Sequence, residues 1–170
     1  MISTAWLALR SIAWTLLIPG VVVGYIPWRY FGLEGRAVNL SNPLTVAGLA
    51  CMAGGAALLI ACVFEFARSG RGTLSPVDPP RELVAQGMYR YVRNPMYLSV
   101  SVILLGETLL ARSAALAAYA AVWFGLVNVF VMGYEEPWLR HRFGASYDEY
   151  ANTVGRWIPT SGTRKSGGRS

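Results

Sequence analysis

Eleven residues, GMYRYVRNPMY from Gly87 to Tyr97, place two arginines and three tyrosines at the mouth of an apolar run that continues to Ala111. Arg90 and Arg93 offer donors for an anionic group, and Tyr89, Tyr91 and Tyr97 offer flat faces for stacking. Pro95 marks where a helix can begin. Some forty residues on, an acidic pair, Glu135 and Glu136, closes a second apolar run. Adjacent carboxylates at a helix C-terminus are disfavoured by the macrodipole and by each other, so a cation is expected beside them. Arg140 and Arg142 are the candidates nearest in sequence. Pro137 pushes Glu136 away from the α region and predicts a chain reversal at the pair.

The elements that must position these groups are membrane helices. The 170-residue chain is 54% apolar, only 14% charged, and has a mean hydropathy of +0.40. A soluble domain averages about 25% charged residues. The fold class expected is an all-α, multi-pass membrane bundle with four spans, at about 11–28, 44–66, 95–111 and 113–134. Each is near the ~20 residues that cross a bilayer core. Arg112 and Ser113 leave only a tight turn, so the third and fourth spans form an antiparallel hairpin. Counting residues from that turn puts Asn94 to Tyr97 and Val131 to Glu136 at one depth, and the acidic pair and the basic collar then face one pocket. A ligand with a cationic head, an anionic group and a flat ring would use all three features. S-adenosylmethionine is such a molecule.

Twelve of the 15 Lys and Arg fall in the N-terminus, in the loop 67–94 or beyond Tyr134, which puts both termini in the cytoplasm. The net charge of +6 therefore meets anionic lipid headgroups, and no nucleic-acid partner is inferred. Cys51 and Cys62 are about 16 Å apart along one helix, beyond disulfide reach. His141 is the only histidine, so no multi-His metal site is expected. Gly20 with Gly24, and Ala53, Ala57 and Ala61, have the small-residue spacing that lets helix backbones approach; the oligomeric state stays open. The Gly- and Pro-rich stretch Arg68 to Pro80 reads as a lid over the cytoplasmic face. Arg81 to Tyr91, with Leu83, Val84 and Met88 at helical spacing, reads as an amphipathic surface element. Residues 1–159 form one domain with C-terminal cytoplasmic helices, and 160–170 is a basic tail to which no structure is assigned.

GMYRYVRNPMYL followed by EEPWLRHRFGASYDEYANTVGRWIP resembles the integral membrane methyltransferases of the isoprenylcysteine carboxyl methyltransferase and phospholipid methyltransferase superfamily. The likeness covers roughly Gly70 to Pro159. It implies a helical membrane enzyme that takes S-adenosylmethionine from the cytoplasm, methylates a lipophilic or lipid acceptor, and releases S-adenosylhomocysteine. It implies cofactor contacts at Tyr89, Arg93, Asn94, Pro95, Tyr97, Glu135, Glu136 and Leu139, with Phe143, Gly144, Tyr147 and Tyr150 shaping the cover. Asn94 stands where the prenylcysteine enzymes have His, which counts against a prenylcysteine acceptor. Ser99 stands where Gly is usual, which crowds a close helix contact. The GRGTLSPVDPP loop is similar to loops of bacterial members of unassigned substrate, which implies a bacterial inner membrane.

Methyl transfer from a sulfonium is an in-line displacement, served by alignment and a dry pocket, with no metal required. An acceptor bearing a proton needs a base, and Glu65 at the cytoplasmic end of the second span is the catalytic candidate, beside its plainer role as a snorkelling partner of Arg68. Glu107 lies about 15 Å from Tyr97 along the helix and reads as an outer-end polar contact or a partner of Arg112. Asn128 is placed to line the acceptor's path or to bond between helices. Two other classes fit the composition: a small proton-coupled transporter working through Glu107, and a catalytically silent membrane scaffold.

Overall fold

The computed structural model describes residues 17–33, 38–69, 83 and 85–160. The residues before Leu17, including the start of the first span, most of the lid stretch and the tail beyond Thr160 lie outside them. Most of the described residues are helical, none of them forms a strand, and one isolated parallel bridge pairs Val92 with Gly155. The first helical stretch holds a π-turn, Gly20–Tyr25, and then α1, Ile26–Tyr30. After it come α2, Pro43–Ser69, and α3, Pro95–Ala111; α4, Ala114–Phe130, runs through a second π-turn, Val131–Glu135, into α5, Glu136–Phe143. The last element is α6, Ala145–Thr153.

Local chemistry sets these boundaries. The Asn42 side chain accepts from the Leu44 amide at 2.9 Å in front of Pro43, which opens α2. Arg112 ends α3 in the left-handed region, φ 49°, and donates its amide to Thr108 O at 2.8 Å. Ser113 then caps α4 by accepting from the Leu116 amide at 3.3 Å.

Two helical runs, Pro43–Glu65 and Ala114–Phe143, are long and apolar enough to cross a membrane. Only 17% of the most apolar window of each is buried within the protein, and Val122, Leu126 and Val129 point outward. A soluble core helix would bury that face, so both runs are built to meet lipid. α3 is shorter, at 17 residues, and far more enclosed, with Val100, Ile103, Leu104 and Ala111 in the core.

The α2–α3 contact is close enough to be made backbone to backbone. A Cβ added at Gly48 would stand 2.7 Å from the Gly106 carbonyl oxygen, and one at Gly55 would stand 2.8 Å from that of Ser99. Gly48, Gly55 and the buried Cys62 recur every seven residues and form the packed face. This corrects the sequence expectation, since Ala53 and Ala57 are exposed. Gly20 and Gly24 likewise have open space where a Cβ would be. Ser99 does not crowd the contact: it is fully buried, its hydroxyl turns back to Met96 O at 2.6 Å, and Gly55 supplies the room opposite.

Pro137 does not reverse the chain. Glu136 is helical, at φ −64° and ψ −44°, and its amide donates to Val131 O, five residues back. Proline has no amide to donate and clashes with the carbonyl four residues before it. One π-turn widens the helix ahead of Pro137 and relieves both problems. Pro27 follows the π-turn Gly20–Tyr25 in the same way. Among the described residues of the surface element predicted for 81–91, Leu83 and Ala85 are not helical, and one 3₁₀ turn, Gly87–Arg90, is entered by Gly87 at φ +56°.

Candidate functional site

The far ends of α3 and α4 from the Arg112 turn meet at an ion-pair cluster. Glu136, 5% exposed, accepts from Arg93 Nη1 at 3.0 Å, from Arg156 Nε at 2.6 Å and from Arg156 Nη2 at 2.8 Å. The partners come from 43 residues upstream and 20 downstream, not from Arg140 or Arg142. Arg140 instead pairs with Asp148 at 3.2 Å, with both side chains more than half exposed. Tyr147, packed into the core, accepts from Arg93 Nη1 at 3.4 Å.

A cavity of about 90 Å³ lies against this cluster, or about 540 Å³ counting the cleft open above it. Arg93, Asn94, Glu135 and Glu136 give it polar walls, and Tyr89, Leu139, Phe143, Tyr147, Tyr150 and Leu83 give it apolar and aromatic ones. Two buried polar atoms in this lining have no partner: Arg93 Nε and Glu135 Oε2. Buried donors and acceptors are nearly always satisfied, and an unpartnered donor and acceptor of opposite sign among the lining residues of one cavity have the chemistry to meet a ligand that bears both charges. The π-turn produces the pair, since the extra residue in its loop lets Glu135 and Glu136, adjacent in sequence, face the same space.

Tyr97 and Pro95 stand behind the wall. The Tyr97 hydroxyl is hydrogen-bonded to the Glu135 carboxylate, and Pro95 is the buried first residue of α3. Asn94 donates its amide to Arg156 O at 3.3 Å. The Tyr150 hydroxyl donates to Tyr89 O at 2.6 Å and ties α6 to the collar. Burial raises the phenol pKa of Tyr89 well above its ordinary value and raises those of Tyr150 and Tyr147 as well. These rings are neutral donors and stacking faces, not bases. The hydrogen bond to Glu136 raises the Arg156 guanidinium, fixing it as a cation.

Other residues singled out by sequence fall elsewhere. Arg90 stacks on the ring of Tyr91 at 4.5 Å, and neither of these exposed residues lines the cavity. Glu65 lies against Gly87, so closely that a Cβ there would overlap its carboxylate, and it is not part of the cavity wall. Gly144, at φ +54°, makes the corner between α5 and α6 rather than a wall of the cavity. Glu107 is 3% exposed with Oε2 unpartnered and forms no pair with Arg112, which is exposed. Asn128 accepts from Trp157 Nε1 at 2.9 Å and so holds the C-terminal segment after α6. Two participants were missed: Leu83, and above all Arg156, whose only sequence signal was a cation four residues before the basic tail.

The fold and site define a helical membrane protein with a cleft of charged and aromatic residues at one end of its apolar helices. The family model for phospholipid methyltransferases matches residues 43–146, and the chain belongs to that family. No curated protein and no solved structure matches it.

Proposed function

We propose that this protein is a membrane-embedded S-adenosylmethionine-dependent methyltransferase whose acceptor is a lipophilic or lipid molecule. The observation that carries this is the orphan pair, Arg93 Nε and Glu135 Oε2, in one aromatic-walled cavity beside the Glu136 cluster. The donor set fits the cofactor: Arg93 Nε for the carboxylate, Glu135 for the amino group, and Tyr89, Tyr150 and Phe143 as faces for the base. When bound, S-adenosylmethionine supplies an electrophilic methyl on a sulfonium. The chain's own residues bind and orient both ends of the molecule, and the aromatic wall keeps water from the reacting atoms.

Four spans with both termini cytoplasmic, the third and fourth as a hairpin, would place this cleft at the inner leaflet, where a lipid acceptor can enter sideways from the bilayer. Glu65, set against Gly87 on the α2 side of the collar, is the acid we assign to the acceptor's proton. The family description supports a lipid acceptor, and neither transport nor a silent scaffold gains support from it.

The experiment is calorimetric titration of the full chain in nanodiscs with S-adenosylhomocysteine, followed by labelled S-adenosylmethionine and total membrane lipid. Saturable binding lost in Arg93→Ala and Glu135→Gln, and a labelled lipid product, are expected. Glu65→Gln should keep cofactor binding and lose label transfer. Absence of saturable binding by the unmodified protein would sink the proposal.

A further inference from the structure

Past α6 the chain forms a strap, residues 154–160, that crosses the site from the C-terminal side. The strap is paired to the collar by its backbone. Arg93 N donates to Gly155 O at 2.9 Å, and Thr160 N donates to Tyr91 O at 3.0 Å. Thr160, assigned by sequence to an unstructured tail, is therefore held. Asn94 Nδ2 reaches Arg156 O at 3.3 Å. On the other side Trp157 bonds to Asn128 and packs on Phe124 with ring centroids 5.3 Å apart, which anchors the strap to α4.

Between these anchors Arg156 makes a two-pronged contact with Glu136. Glu136 already has Arg93 as a partner, so pairing alone does not require a second guanidinium. The second contact fixes the orientation of the carboxylate: with both oxygens held by the fork of Arg156, Oε1 can point only toward Arg93 Nη1. Arg93, held there and by Tyr147, lines the cavity with its Nε buried and unpartnered. Arg156 lies outside the residues matched by the family model.

We propose that Arg156 is a positioning residue of the cofactor site, acting through Glu136 on Arg93, so that cofactor binding and ordering of the 154–160 strap are coupled. The inference rests on the cofactor reading above. Coupling is reciprocal: whatever the ordered strap adds to ligand affinity, the ligand returns as protection of the strap.

The test uses the full chain in nanodiscs, with S-adenosylhomocysteine as the probe. It combines calorimetric affinity with hydrogen exchange of residues 154–160, for the unmodified protein, R156Q, R156K and W157F. Losing charge-assisted bonds at a positioning group weakens binding by at least about tenfold in R156Q. Lysine keeps the charge but not the fork, and R156K falls between. W157F cuts only the α4 anchor and binds the probe within about threefold of the unmodified chain. The probe should slow exchange in the strap of the unmodified protein and leave that of R156Q unchanged. R156Q binding as tightly as the unmodified chain, or strap exchange in the unmodified chain indifferent to bound probe, overturns the inference while leaving the cofactor reading standing. No binding by the unmodified chain overturns both.

Discussion

Glu135 and Glu136 are adjacent and chemically alike, yet the structure gives them opposite roles, and amide substitution separates them. Glu136→Gln removes the charge from a carboxylate whose side chain is 6% exposed and whose partners, Arg93 and Arg156, are 12% and 30% exposed. Removing one member of a buried pair costs about 3–5 kcal/mol, because the charges left behind are uncompensated. Arg93 carries most of that cost here, since Arg156 retains access to water and adds about 1 kcal/mol. The sum, about 4 kcal/mol, is a large share of the stability of an ordinary domain, and at about 2–4 °C per kcal/mol it lowers the melting temperature by roughly 10 °C. Glu135→Gln removes a carboxylate with one buried oxygen unpartnered and only Tyr97 at the other, so folding loses little. On the proposed reading it loses the anion for a cationic ligand head, and affinity for S-adenosylhomocysteine should fall by about tenfold or more. Thermal unfolding in detergent, followed by intrinsic fluorescence, reads the first effect, and calorimetry on the folded fraction reads the second. Equal melting temperatures for the two variants, or an unstable Glu135→Gln with normal affinity, would refute the division of labour.

Gly106→Val puts a branched side chain where even a Cβ would lie 2.5 Å from Gly48 O, and α2 and α3 must separate. Overpacking of this kind costs about 1–3 kcal/mol, and an unchanged melting temperature would show that the helices do not meet there. Asn128→Ala removes the acceptor of the Trp157 indole, costs about 1 kcal/mol, and should speed exchange in the strap without altering exchange in α3. Burial holds the Tyr89 and Tyr150 phenols protonated in the folded state. Unfolded tyrosine titrates at about pH 10, so their stabilising contribution is constant below that pH and declines above it. Melting temperature against pH, with phenolate absorbance of the folded protein, checks the sign.

By itself the sequence determined the class of protein and pointed to many of the residues that line the candidate site. Apolar runs between sparse charges can be folded only against lipid or each other, and the two longest came out as helices within a residue or so of the expected start. The collar and the acidic pair were legible because arginines, tyrosines and paired carboxylates at the ends of apolar runs demand partners. Tyr89, Arg93, Asn94, Glu135, Glu136 and Leu139 do line one cavity. The tertiary structure decided the pairing. Local rules pointed Glu136 to Arg140, but a buried carboxylate takes whichever cations the fold brings within reach, and those were Arg93 and Arg156. Local rules also read Pro137 as a break, where one π-turn absorbs the missing hydrogen bond at the level of the helix and turns both acids into the cleft. The glycine face of α2 could not be told from its alanine face by spacing alone. Which face packs depends on where α3 lies, and that is fixed by contacts between residues about fifty positions apart in the chain.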